Sequence, residues 1–478
     1  MHHIVNGLQN KARKHPNHQA IIYLEDGEQE SARITYGELD RRAKIVASHL
    51  CAQNMTGLRV MLLYPTGIDF IITLMGCWYA GVIAVPVSCP KVAELEKNKA
   101  FLNSIAADAD IIAVISLDCY CHELRSIIAD DIKIIASDCW EVINPIPTPT
   151  FNITDETIAY LQYTSGSTSA PKAAIITQGN LTHSLKETAR AWHYTKASIT
   201  LNWAPHTHVY GLICGLLVPI YHGSLAIIMP PAAFINKPLV WLSAITKYGV
   251  SHSGCPNFGY DICVQNIKES ELAALNLEPW KVAINGGDNV HHNTLVAFAH
   301  KFGSCGFELK RFCSAYGMSE VTGAIAVTLF EESPLCDPLY SSENQQRRLV
   351  SSGRLLKGLE AVAVDPETFL PVSDGQTGEI WLSGKSVVSG YWRRPDENQV
   401  IFNARIPDSP HSYFRTGDLG FIFENELYLT GRLKEVMVVY GKKYYPLDFE
   451  ITIANALNTF KNCFARVAFS IEIKGKEE

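Results

Sequence analysis

The sequence predicts an α/β fold, and three observations carry that prediction. Short apolar strand-like runs alternate with helical patterns over most of the chain, which is the pattern of a largely parallel sheet with crossover helices. From about Leu355 the texture changes to short strands punctuated by glycine turns. After Arg432 a fresh strand–turn–helix–strand pattern begins. The strand runs are Val60 to Leu63, Ile111 to Ile115, Ile132 to Ile135, Ile199 to Trp203 and Ser224 to Ile228. Thr35 opens a helix as its N-cap, and Glu38 three residues later completes a capping box. The apolar stretch Phe70 to Val87 is interrupted by Ala80-Gly81 and Pro86, so it reads as a core helix followed by a buried strand and not as a membrane span. The segments LEAVAVDP, TGEIWLSG, GYWRRP, RTGDLGFI and ELYLTGR read as strands of a smaller, mainly antiparallel β module. The last unit comprises EVMVVYG, a helix near Phe449 to Leu457, and the strand Ala465 to Ile473.

Composition narrows the function classes. At 478 residues the chain has room for about three compact units at roughly 150 residues each. With 47% hydrophobic and 19% charged residues it is a folded globular chain. A formal charge of −7 without a long basic run argues against sequence-independent nucleic-acid binding, which needs clustered cations to displace phosphate counterions. The 13 cysteines are scattered without a C-x-x-C pair, as reduced thiols of a cytoplasmic protein would be. The first twenty residues have no apolar signal core.

The sharpest chemical feature is Tyr163-Thr164-Ser165-Gly166-Ser167-Thr168-Ser169-Ala170-Pro171-Lys172, following the apolar strand Ile158 to Leu161. Five small hydroxyl residues around one glycine make a loop whose amides and hydroxyls can donate to phosphate oxygens. The lysine adds a point charge. It is not a Walker A loop, because Pro171 stands five residues after Gly166 and no Ser or Thr follows Lys172.

The decapeptide resembles the signature loop YTSGST-x-x-PKG of the adenylate-forming enzymes. The stretches SGCPNFGYDICV (Ser253 to Val264) and YGKKYYPLDFE (Tyr440 to Glu450) are similar to the fatty acyl-AMP ligase branch. The resemblance runs from the N-terminus to about Phe469. It implies a large AMP-binding domain over residues 1–431, built of two α/β subdomains plus a smaller β module, and a partial α+β C-terminal subdomain over 432–478. It further implies ATP-dependent activation of a fatty or other carboxylic acid to acyl-adenylate with pyrophosphate release, with ATP and Mg²⁺ required. The partners implied are the fatty acid and an acyl carrier protein or a polyketide or nonribosomal peptide synthase module. Coenzyme A is the less favoured acceptor, and neither nucleic acid nor a membrane span is implied. Two alternatives stay open: an acyl-CoA ligase, or a nucleotide and acyl-AMP binder with impaired catalysis.

Residue by residue, the resemblance gives Thr164, Ser165, Gly166, Ser167, Thr168 and Lys172 to the phosphates, and Glu320 with Thr168 to Mg²⁺. Tyr316-Gly317-Met318-Ser319-Glu320 matches the adenine motif, with Tyr316 stacking on the base and Gly317 and Ser319 beside it. Asn285-Gly286-Gly287-Asp288 matches the glycine turn on the adenine side. Arg415-Thr416-Gly417-Asp418 gives Asp418 to the ribose diol, for which a carboxylate is a natural acceptor. Gly431-Arg432-Leu433-Lys434 matches the hinge, with Arg432 near ribose and phosphate and Lys434 as pivot. Pro205-His206-Thr207-His208-Val209-Tyr210-Gly211 matches the looser P-x-x-H-x-x-G, assigning His208 to the reacting carboxylate, with His206 as a nearby competitor.

The sequence departs from the family pattern in four places. Ala173 replaces the glycine after the loop lysine. Thr207, Val209 and Tyr210 replace three positions of the H-H-D-M-G usual in the fatty acyl-AMP branch. Thr328 to Leu349, the place of that branch's extra loop, is shorter than usual. The chain ends at Lys474-Gly475-Lys476-Glu477-Glu478, before the place of the family's late catalytic lysine. Leu212 to Ile220 and Pro256 to Tyr260 are the apolar segments available to line an acyl tunnel.

Overall fold

The computed structural model describes residues 3–140, 151–164, 171–336, 349–439, 442–444, 472–473 and 476–477. Strands β1 (Gln19–Leu24) and β2 (Glu30–Thr35) form an antiparallel pair at one edge of a large sheet. The chain then builds a second sheet from β3 (Arg59–Tyr64), β4 (Ile83–Ser88), β5 (Ile111–Ser116), β6 (Lys133–Ala136), β7 (Ile158–Thr164) and β8 (Lys172–Thr177). Its order is β6-β5-β3-β4-β7-β8, parallel throughout except for the β7–β8 hairpin. Next come β9 (Ile199–Asn202), β10 (Leu225–Ile228), β11 (His252–Cys255), β12 (Val282–Gly286), β13 (Phe312–Met318), β14 (Gly323–Val327) and β15 (Arg354–Leu355). These complete the first sheet, nine strands in the order β15-β14-β13-β12-β11-β9-β10-β1-β2. Finally β16 (Leu359–Val364), β17 (Gly378–Gly384), β18 (Phe414–Phe423) and β19 (Glu426–Arg432) form a separate four-stranded antiparallel meander.

The apolar runs expected as strands of the two sheets appear within a residue or two of their expected places. Two parallel α/β layers followed by an antiparallel module is the predicted architecture. The stretch from Phe70 resolves into the helix Ile68–Ala80, buried at every position but one, followed by β4. It contributes to one large apolar cluster that also takes in residues of β3 and β4, of β7 and β8, and of β10 and β14. Among the described residues no helix is long and apolar enough to cross a membrane.

Two local expectations are corrected. Thr35 caps the helix Tyr36–Ala52 by accepting from the Glu38 amide at 3.2 Å. Glu38 does not reach back, because its carboxylate is held by Arg41 in a two-bond pair at 2.7 Å. GYWRRP is not a strand: only Tyr391 makes an isolated bridge, to Ala174, before the helix Pro395–Ile401 begins. Around that bridge Gly390 accepts the Ile175 amide (3.0 Å) and Trp392 donates to the Ala173 carbonyl (2.8 Å), while Asn398 on the helix takes both backbone groups of Tyr391 (2.7 and 2.9 Å), so the pairing stays one bridge long. The helix expected near Phe449 to Leu457 lies outside the described residues, as does most of the strand Ala465 to Ile473.

Candidate active site

Residues expected to bind nucleotide gather at the C-terminal ends of parallel strands, where open α/β sheets place their ligands. Tyr316 and Gly317 lie near the end of β13, and Gly286 ends β12 beside it. Tyr316 is buried, and its hydroxyl donates to Asp418 Oδ2 at 2.5 Å, tying the large sheet to β18 of the small module. The β18–β19 register sets Arg432 directly opposite Asp418, and Arg432 Nε stands 3.2 Å from Asp418 Oδ1. Burial raises the Asp418 carboxyl above its ordinary range, while the Tyr316 hydroxyl and Arg432 pull it back down. The Glu320 charge pushes it up again, so the two carboxylates share one electrostatic site. The Tyr316 phenol is pushed well up, first by burial and then by Asp418. The other members of Arg-Thr-Gly-Asp are scaffold. Arg415 pairs with buried Glu379 at 2.9 Å beneath the Phe369 and Trp381 rings, and Thr416 donates to the Ile380 carbonyl at 2.7 Å.

A second chain of contacts joins the residues expected for phosphate and metal. Glu320 sits in the turn Ser319–Val321 after β13, and its carboxylate accepts the Tyr391 hydroxyl at 2.7 Å. Lys172 opens β8, forms an ion pair with Glu397 and lies 5.6 Å from the centre of the Tyr391 ring. Tyr391 therefore links Lys172 to Glu320. Neither Tyr391 nor Glu397 was among the residues picked from sequence. The one available signal was Pro395-Asp396-Glu397, a proline followed by acids as at a helix start. Ala173, in place of glycine, lies in extended β8 opposite Tyr163, where a Cβ is accommodated.

Of the hydroxyl loop, Ser165 to Ala170 lie outside the described residues, and so do Ser165, Gly166, Ser167 and Thr168 as site candidates. The loop's two ends are fixed nonetheless, because Thr164 and Lys172 pair directly across the β7–β8 hairpin.

The glycine turn is built for close approach. A Cβ on Gly286 would meet the Ala315 carbonyl oxygen at 2.4 Å, and Gly287 holds φ +84°. Gly287 and Asp288 are exposed, and Asp288 Oδ1 accepts the Asn289 amide at 2.7 Å. Beneath them Asn285 is fully buried. It donates to Asn257 Oδ1 at 3.2 Å, and its own Oδ1 has no hydrogen-bond partner among the described residues. A buried acceptor of this kind beside an open glycine turn suits a ligand's N–H donor.

The two histidines separate cleanly. His206 is buried against Phe70, 4.1 Å between ring centres, and burial lowers its pKa to about 4, so the ring is neutral core. His208 is exposed and caps the helix Val209–Leu212, its Nδ1 accepting the Tyr210 amide at 3.2 Å; its Nε2 is the nitrogen left to face a ligand. The Thr207 carbonyl accepts from Gln162 of β7 at 3.0 Å, which ties this segment to the hydroxyl-loop hairpin. The tunnel segment Leu212 to Ile220 is solid core and contains a π turn at Ile213–Leu217. Phe258, in the second segment, is only partly buried.

Two α/β sheets and a β module whose Asp418 accepts the hydroxyl of the buried Tyr316 form the framework of an adenylate-forming ligase. The chain belongs to the AMP-binding enzyme family, whose model matches residues 8–392. It is 34% identical over 99% of its length to the medium-chain-fatty-acid–[acyl-carrier-protein] ligase JamA of Moorena producens, covering 84% of that protein. It is 30% identical over 92% of its length to the corresponding ligase TtuA of Teredinibacter turnerae, covering 78% of it. The crystal structure of a fatty acyl-adenylate ligase from Legionella pneumophila, in complex with acyl adenylate and pyrophosphate, superposes with a TM-score of 0.85. That protein is 34% identical, with 99% of this chain and 85% of that one covered.

Proposed function

We propose that this chain converts a fatty acid and ATP to acyl-adenylate and pyrophosphate, then passes the acyl group to the thiol of an acyl carrier protein with release of AMP. The observation that carries the reading is the convergence of two residue sets, Tyr316–Asp418–Arg432 and Lys172–Tyr391–Glu320, close enough that Glu320 perturbs Asp418. Sequence kinship to two carrier-protein ligases, at 34% and 30% identity, supports the acceptor.

In the first step a carboxylate oxygen of the fatty acid attacks the α-phosphorus, and the bond to the bridging oxygen of the β-phosphate breaks as pyrophosphate leaves. No protein nucleophile is needed, so the chain contributes positioning and charge neutralisation. Asp418 accepts the ribose hydroxyls, and Tyr316 and the Gly286–Gly287 turn flank the base, with Asp288, Gly317 and Ser319 around it. Lys172 and the hydroxyl loop from Thr164 to Thr168 hold the phosphates. Arg432 lies mostly exposed on the ribose side, able to reach the α-phosphate, and His208 meets the reacting carboxylate. Glu320, steadied by Tyr391, is the residue that would hold Mg²⁺ with Thr168; a carboxylate oxygen beside the phosphates is the donor that ion prefers, and when bound it neutralises charge on the leaving pyrophosphate. We take residues 1–431 as the AMP-binding domain and the turn Leu433–Glu435, which carries Lys434, as the pivot into a second unit. Free thiols at all 12 described cysteines suit a reducing cytoplasm.

The test is fatty-acid-dependent ATP–pyrophosphate exchange, followed by acyl transfer to a holo carrier protein and, separately, to coenzyme A. Exchange with transfer to the carrier alone supports the proposal. Thioester formation with coenzyme A alone would make the chain an acyl-CoA ligase, and nucleotide binding without exchange would make it a binder.

A further inference from the structure

A cavity of about 360 Å³ shares no lining residue with the candidate adenylation site, and six of its 11 lining residues are basic: Lys11, Lys14, His15, His18, Lys196 and His222. They converge from four places: the helix Ile4–Lys14, the segment leading into β1, the segment leading into β9, and the end of the helix Val218–His222. Strands β1, β9 and β10 run parallel to β12 and β13. The cavity is therefore at the N-terminal ends of β1, β9 and β10, on the edge of the sheet opposite the C-terminal ends of β12 and β13 where the nucleotide residues are expected. It is a second site on the opposite edge of the same sheet.

Among the described residues no carboxylate lines it. Glu187, whose charge reaches Tyr221 on the cavity wall, is already engaged by Arg190 at 2.7 Å and Lys186 at 3.6 Å. Cations near a helix C-terminus often serve only to offset the helix dipole. Lys11 does so here, donating to the carbonyls of Ile220 and Tyr221. Lys14, in the last turn of the helix Ile4–Lys14, and His222, at the end of the helix Val218–His222, are placed for the same role, which leaves His15, His18 and Lys196 on the cavity wall without it. His222 Nδ1 is buried there without a hydrogen-bond partner among the described residues. Burial, and then the charge of Lys196, lowers the Lys11 pKa to about 7. Three lysines thus share the cavity with no carboxylate among the described lining residues, and an anion would offset their charge.

We infer that this cavity binds an oxyanion of the phosphate type carried on a small organic group. Lys14, Lys196 and the histidines would donate to its oxygens, and the rings of Tyr36 and Tyr221 would flank its body. The volume falls in the range of roughly 300–1,000 Å³ usual for small-molecule sites, larger than a bare phosphate needs.

The test titrates phenyl phosphate and inorganic phosphate into the full chain at low ionic strength, followed by calorimetry and ³¹P line broadening. Lys14 and Lys196 are exposed, so K14E/K196E should fold, and K14A/K196A provides a milder pair. Saturable phenyl phosphate binding is expected, tighter than that of inorganic phosphate. It should be weakened about tenfold or more in K14E/K196E and less in K14A/K196A. Binding should persist in Lys172→Ala, and pyrophosphate exchange should be unchanged in both double variants. Absence of saturable binding, its survival in K14E/K196E, or its loss in Lys172→Ala would each overturn the inference. Equal affinity for the two probes would overturn its organic part.

Discussion

Replacing Asp418 separates the nucleotide contact from the fold. The carboxylate already accepts the Tyr316 hydroxyl at 2.5 Å and faces Arg432 Nε at 3.2 Å. A carboxylate has about four lone-pair positions, so about two remain for the ribose diol. Hydrogen bonds to a charged acceptor contribute about 1.5–3 kcal/mol and neutral ones about 0.5–1.5. Asp418→Asn removes the charge but keeps one acceptor oxygen for Tyr316, so it should cost about 1 kcal/mol per ribose hydroxyl, roughly thirtyfold in Kd for the pair. The Arg432 side chain is 62% exposed, and the loss of its pairing adds little. Asp418→Ala should lose the same affinity and also leave the Tyr316 hydroxyl buried without its acceptor, a stability cost of about 1–3 kcal/mol. Calorimetric titration of ATP without fatty acid, paired with urea unfolding, reads both quantities. An Asp418→Asn protein that binds ATP within about twofold of wild type would refute the ribose assignment.

Lys172→Ala should lower pyrophosphate exchange about a hundredfold or more while the protein stays folded, since it removes one preorganised cation from the phosphates. Tyr391→Phe, which deletes only the 2.7 Å donor to Glu320, should lower exchange roughly tenfold and shift its Mg²⁺ dependence to higher concentration; wild-type Mg²⁺ dependence would remove Tyr391 from the site. His206 and His252 are both buried with pKa values lowered to about 4, so the unfolded chain binds more protons below pH 6.5. Stability should therefore be flat above about pH 6.5 and fall as pH drops from there to about 4, by up to roughly 3 kcal/mol per ring. Urea melts across that window should flatten in His206→Gln and His252→Gln, and parallel profiles in all three proteins would contradict the assignment.

What the sequence made legible was local. Strand runs of four to seven apolar residues, a cap at Thr35 and turns rich in glycine depend on neighbours within a few positions, and those elements appear where expected. The motif residues were legible as motifs for the same reason: each is a contiguous string. What was not legible was which of them meet. Tyr391 reaches Glu320 across 71 positions, and Lys172 reaches Glu397 across 225. No periodicity encodes such distances. GYWRRP was misread for a related cause: its aromatic content favours a strand, but Asn398 seven residues on occupies the backbone groups a strand partner would need. His206 and His208 are equally plausible on paper, and only the fold decides between them, by burying one ring against Phe70 and leaving the other at an exposed helix start. The tertiary contacts thus change the roles as well as the positions. Lys172 reads from sequence as a lone cation for phosphate, whereas in the fold it is already paired with Glu397. In the proposed role, phosphate competes with a carboxylate for the same ammonium, and because that pair is part-buried, the exchange of one anion for another costs less than placing a bare lysine there would.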